Sequence, residues 1–214
     1  MTLAAWLSLT AICALGAISP GPSLAVVIRN TIRHGRGAGL ITALSHGLGV
    51  GGYALATALG LAALIATQTT LFKALTLAGS AYLLWLGADA LRARHAPRPA
   101  DPADEPARAA PEHPPAGALA AAREGFGIAL LNPKIALFFL ALFSQFVSSE
   151  AGAIEVAILA GTATLVDASW YALVATGLTA RATAAWLRRH GRWIERLSGA
   201  ALVFLALTTA ASTL

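Results

Sequence analysis

Charge is scarce in this 214-residue chain: Asp, Glu, Lys and Arg make up 12% of it, against 57% hydrophobic residues. A soluble domain carries roughly a quarter charged residues, so the shortage excludes an ordinary water-soluble globule and points to lipid. Cysteine is almost absent. The single thiol, Cys13, excludes an intrachain disulfide and cannot alone hold a structural metal, which needs several converging thiolates or imidazoles. The apolar stretches also lack paired carboxylates, a His-Glu-x-x-His helix and a Gly-x-Ser-x-Gly elbow. We therefore expect no enzyme and no cofactor. Met1 to Leu9 has no Lys or Arg, so the positive leader of a secretory signal is missing and the first helix is expected to be retained.

A net charge of +5 does not signal nucleic acid, because the basic residues fall between long apolar runs rather than on one basic, aromatic-laced surface. Spanning a bilayer takes about 20 mostly apolar helical residues. Six stretches qualify: roughly 4–28, 39–66, 71–91, 125–147, 154–178 and 197–214. Helices are expected rather than strands, since the runs lack the alternating pattern of a barrel and a backbone in lipid must satisfy its own hydrogen bonds. The fold class is thus an all-α integral membrane protein of six transmembrane helices.

All 13 arginines follow the first, third or fifth stretch; only Lys73 and Lys134 of the 15 basic residues lie elsewhere. The positive-inside bias then places those three connections in the cytoplasm and both termini outside, in a bacterial inner membrane. Seven of the ten prolines crowd into residues 93–122, too polar and too broken to pack or to cross lipid. This cytoplasmic Pro/Ala-rich linker separates a first three-helix half, 1–92, from a second, 123–214. Because three is odd, the halves would enter the membrane in opposite directions and form an inverted repeat.

The remaining prolines lie in apolar stretches: Pro20 and Pro22 within Ser19-Pro20-Gly21-Pro22-Ser23, and Pro133 within Asn132-Pro133-Lys134, each in the first helix of its half. Proline removes a backbone donor and strains the preceding turn, so both helices should open there. Free carbonyls and N–H groups at membrane depth are tolerated only against protein or a watery cavity, and half-helix N-termini attract anions while unwound carbonyls attract cations. An amino-acid zwitterion presents both charges. The bland alternative is that the prolines only kink two packed helices.

Lys134 and Asp167 lie furthest inside apolar stretches. An unpaired charge there costs roughly 3 kcal/mol or more, so they should face a cavity or each other. Asp167 would accept a proton or the substrate ammonium and Lys134 would meet the carboxylate, unless the two are a structural pair or the lysine snorkels. His46 could relay a proton, although a lone intramembrane histidine more often bonds a neighbouring helix. Gly47 and Gly51 have the spacing of close helix approach. Tyr82, Trp85, Trp170 and Tyr171 would line a pocket or, as aromatics more commonly do, seat helices at the interface.

Ser19-Pro20-Gly21-Pro22 followed by His34-Gly35-Arg36-Gly37-Ala38-Gly39-Leu40 resembles the N-terminal signature of the LysE/RhtB exporters. Gly79 to Gly87 resembles that family's third helix, and Gly125 to Phe146, with LLNPKIALFFLALFSQF, its fourth. Ser144 departs from an expected proline, and Ser45-His46 stands at a place usually given to glycine; both departures could reshape the pocket. The resemblance implies an inner-membrane secondary transporter that exports amino acids or close derivatives, driven by proton antiport. The partners so implied are a small amino acid, protons and the bilayer, and a bundle this small is a candidate homodimer. The alternative is a divalent-metal exporter of related architecture, which would need several ligands converging in the membrane. Cys13, His46 and Asp167 are few and scattered for that.

Overall fold

The computed structural model describes the chain apart from Pro20, residues 93–116, 148–151 and 178–179, Leu214, and the side chains of Ala66, Thr69, Pro133, 180–188 and Ser212. Most of the linker therefore lies outside the described residues. The described chain is helical: α1 (Leu3–Ile18), α2 (Pro22–Thr67), α3 (Thr69–Arg92), α4 (Ala118–Leu130), α5 (Pro133–Phe143), α6 (Ala153–Thr176) and α7 (Ala180–Thr213).

Local chemistry accounts for the boundaries. Thr2 caps α1, its hydroxyl accepting the Ala5 N–H at 3.2 Å. The helix stops at Ile18 because Pro20 and Pro22 offer no N–H to continue the ladder. Helix α2 then starts with Pro22 in its first turn, where a missing donor costs nothing. It runs for 46 residues, but Gly35 sits at φ 85°, ψ 173°, so the stretch is two helices joined at a kink that glycine alone adopts without strain. Helices α4 and α5 are likewise two pieces bent by 56° about Leu131-Asn132.

Helix α2 packs chiefly along α6 and α4, α3 along α7, and α1 against α6. Small residues permit these approaches: a Cβ on Gly47 would fall 2.7 Å from Ala168, and one on Gly87 or on Gly199 would fall 2.7 Å from the other glycine's carbonyl oxygen. A polar clamp ties both parts of α2 to α4. Arg29 and Asn30 donate to Glu124 at 2.7 and 2.8 Å, and Asn30 also donates to Thr42 at 2.9 Å. Leu9, Leu83, Leu142, Phe143 and Leu159 close the main core, while Leu44, Leu48, Leu55 and Leu59 leave one face of α2 exposed and apolar. Such a face belongs against acyl chains.

Among the described residues four helices are long and apolar enough to cross a membrane: Pro22–Ile65, Thr70–Arg92, Ala153–Thr176 and Arg189–Ala211; the bent pair Ala118–Leu130 and Lys134–Phe143, counted as one span, brings the number to five. The chain is a multi-pass membrane protein. The stretch 4–28 is interrupted where its prolines were expected to open it, at Ser19, and α1 has 16 residues. The expected connection 29–38 is not a loop, because the helix continues through Gly35.

Candidate functional site

The two interrupted helices meet at a cavity of about 350 Å³ to which α1, α2, α3, α5, α6 and α7 contribute. Ser19, Gly21, Pro22, His46, Asn132, Lys134 and Asp167, singled out from the sequence, all line it. Pro20 lies outside the described residues, and Pro133 is described only as the first residue of α5.

The two breaks differ in how their backbone is satisfied. Asn132 caps α5, its side-chain oxygen accepting the Lys134 N–H at 3.0 Å. On the other side of that break the Leu130 carbonyl accepts the Tyr53 hydroxyl at 2.7 Å. Helix α2 begins instead on Gly21, which has no side chain to cap with. Its first-turn N–H groups are the open positive end beside the cavity.

Asp167 meets His46 rather than Lys134: its Oδ2 lies 2.7 Å from His46 Nδ1, across 121 residues of sequence. The imidazole is 1% exposed, and its Nε2 has no partner among the described residues. Tyr171 stands edge-on to that ring, centroids 4.9 Å apart, and lines the cavity together with Ser23. His46 thus bonds a neighbouring helix, the commoner behaviour, and also faces the cavity. Tyr171 lines the cavity and is buried, so it does not seat α6 at an interface. Trp85, 61% exposed, is placed as an anchoring aromatic would be.

A second ionic group contains Lys134, Glu195 of α7 and Asp89 of α3, which interact electrostatically and all line the cavity. Asp89, Glu195 and Ser23 escape a reading of the sequence, as does the place of Tyr171 beside the histidine. Tyr171 has a signal, since it falls one helical turn after Asp167 on the same face. Glu195 has none, lying among the arginines of a stretch that reads as a solvated helix start. The cavity is also lined by apolar side chains, among them Ile12, Val50, Phe138, Phe139 and Leu202.

Of the departures from the family pattern, His46 reaches the cavity and the two serines do not. Ser144 ends α5, donating to the Ala141 carbonyl at 2.8 Å, and Ser45 donates to the Ile41 carbonyl at 2.8 Å under α4. Among the described residues no group of three His, Cys, Asp or Glu side chains converges as a metal site.

Residues 14–213 match the profile of the LysE type translocator family. The chain is similar to a homoserine/homoserine lactone efflux protein of Salmonella typhi, 30% identical over 88% of this chain and 86% of that protein. It is also similar to a leucine efflux protein of Klebsiella pneumoniae, 31% identical over 62% of this chain and 58% of the relative. The uncharacterized membrane protein YahN of Escherichia coli is 32% identical over 62% of this chain. The chain spans little more than half of the last two relatives, 58% and 56% of their lengths. No solved structure matches it.

Proposed function

The chain belongs to the LysE type translocator family, and from that premise we propose that it exports amino acids or close derivatives across a bacterial inner membrane in exchange for protons. It is a transporter, not an enzyme. The observation that carries the proposal is the buried His46–Asp167 pair facing a cavity lined by both broken helices.

The pair is the proton carrier. With one proton shared it is a neutral His⁺–Asp⁻ or His–AspH unit; without that proton it leaves one uncompensated negative charge at membrane depth, at a cost of roughly 3 kcal/mol. Returning the proton requires a route to water; His46 lines the cavity, and its Nε2 has no partner among the described residues. The uncapped start of α2 at Pro22 and Ser23, with Lys134, receives the substrate carboxylate. Apolar walls take the side chain.

Alternating access needs two opposed halves, and we read six spans. The 44-residue run Pro22–Ile65 would rise about 66 Å as one helix, twice the hydrocarbon thickness. Divided at Gly35, its first part joins α1 as one broken span and its second part is another. The inverted repeat is supported by a proline-started half-helix in each half, Pro22 and Pro133. It is further supported by packing: exchanging the halves maps the contact of α2 with α6 onto itself, and likewise that of α3 with α7. Both termini would lie outside.

The test is transport in liposomes containing purified full-length protein, with leucine and homoserine as first substrates. An acid-inside gradient should drive labelled uptake that a protonophore collapses. Asp167→Asn should reduce gradient-driven uptake to the level of protein-free liposomes while exchange of amino acid for amino acid persists. Undiminished gradient-driven uptake by that variant would overturn the carrier assignment. A wild-type protein that moves cadmium or manganese and no amino acid would give the chain to the metal-exporter reading.

A further inference from the structure

The cavity holds more acid than the proton exchange requires. Asp167 is engaged by His46 at 2.7 Å. Glu195 is not: it is 7% exposed, it lines the cavity, and its Oε2 is buried with no hydrogen-bond partner among the described residues. A buried carboxylate oxygen without a donor carries a desolvation penalty, which a bound donor, from water or from a ligand, relieves. Lys134 does not relieve it, because no ion pair within bonding distance joins the two among the described residues; their interaction is through space, and Lys134 also serves Asp89. Two carboxylates face one ammonium here, leaving the group one positive charge short.

We propose that Glu195 is the ammonium-recognition residue of the transporter, with Asp89 beside it at the more exposed edge of the cavity, and that it works separately from the proton carrier. This rests on the amino-acid export reading and deepens it. The substrate class that fits is a primary ammonium compound with an uncharged, largely apolar side chain. Its ammonium lies at Glu195, its carboxylate at Lys134 and the start of α2, and its side chain along Phe138, Phe139 and Leu202. The geometry also divides labour between the acids: Asp167 is engaged by His46, while Glu195 keeps an unpartnered oxygen for the substrate. An ammonium–carboxylate hydrogen bond is among the strong, charge-assisted kind.

Liposome exchange of labelled leucine for unlabelled leucine isolates binding from the proton gradient. Glu195→Gln should raise the half-saturation concentration for exchange roughly tenfold or more, the loss expected of one charge-assisted bond. Glu195→Asp, which keeps the charge on a shorter arm, should fall between Gln and wild type. It also guards against a Gln variant that does not fold. N-acetyl-leucine, which has no ammonium, should fail to compete at concentrations where leucine methyl ester does compete. An unchanged half-saturation in both folded Glu195 variants, or equal competition by N-acetyl-leucine, would overturn the assignment while leaving export intact. A wild-type protein that exchanges no amino acid would instead sink the export reading itself.

Discussion

At the scale of single residues, the buried pair between α2 and α6 carries a prediction for stability and, under the proposed function, for exchange. His46 and Asp167 are each visible in the sequence as ionisable groups in apolar runs, but their pairing is not, because nothing local relates positions 121 residues apart. Removing one partner of a buried pair costs roughly 3 to 5 kcal/mol, whereas replacing both by apolar groups is often neutral. His46→Leu should therefore lower the unfolding temperature of the detergent-solubilised protein markedly. The double variant His46→Leu/Asp167→Leu should recover most of that loss and still transport nothing against a gradient. Additive losses in the cycle would show that the two side chains do not interact. Residue type alone makes Tyr171 an interface anchor, and the tertiary packing overrides that prior by turning the ring against His46.

At the scale of helices, the breaks are the most legible part of the molecule, since a proline's missing N–H acts within its own turn. Asn132 shows the same locality: it caps α5 through the Lys134 N–H two residues away. Asn132→Ala should cost about 1 kcal/mol of stability, the usual loss on removing a cap, read as a lower unfolding temperature. Glycine roles are far less legible, because a glycine's neighbours across a helix interface are not encoded beside it. Gly125 and Gly127 stand two residues apart on α4, yet a Cβ on Gly125 would fall on the Thr42 carbonyl and the Ser45 hydroxyl, while one on Gly127 would meet nothing within 4 Å. Gly125→Ala should destabilise by roughly 1 to 3 kcal/mol, as overpacking does. Gly127→Ala should be neutral or stabilising by up to about 1 kcal/mol from helix propensity. Thermal unfolding of the two variants side by side checks this, and equal behaviour would refute the packing of α4 on α2.

At the scale of the whole molecule, the proposed six spans in two opposed halves make a prediction about sides. In a Cys13→Ser background, Thr2→Cys and Thr213→Cys should react in intact cells with a membrane-impermeant maleimide. Ala109→Cys, in the linker, should react only after permeabilisation. Labelling of the two terminal positions from opposite sides would require an odd number of spans and remove the inverted repeat. The same architecture explains why the count differs between the sequence and the helices that qualify individually. Hydropathy sees apolar length, so it merges α1 with the start of α2 and separates 29–38 as a basic connection. The backbone does the opposite, breaking at Ser19 and continuing helically to Gly35.

What the sequence determined by itself was the solvent, the helical class, the family and the positions of the two breaks. The family follows from the resemblance of its motifs, and the rest from composition or from contacts within a turn: too little charge for water, and prolines that cannot extend a helical ladder. Only the tertiary structure decided what those breaks face. It brought His46 to Asp167, gathered Glu195, Asp89 and Lys134 at one cavity, and set Tyr171 beside the histidine. These groups lie on helices whose mutual register is set by close-packed small residues, Gly47 on Ala168 and Gly87 on Gly199. Register of that kind depends on surfaces fitting across the bundle, which no single stretch of the chain contains.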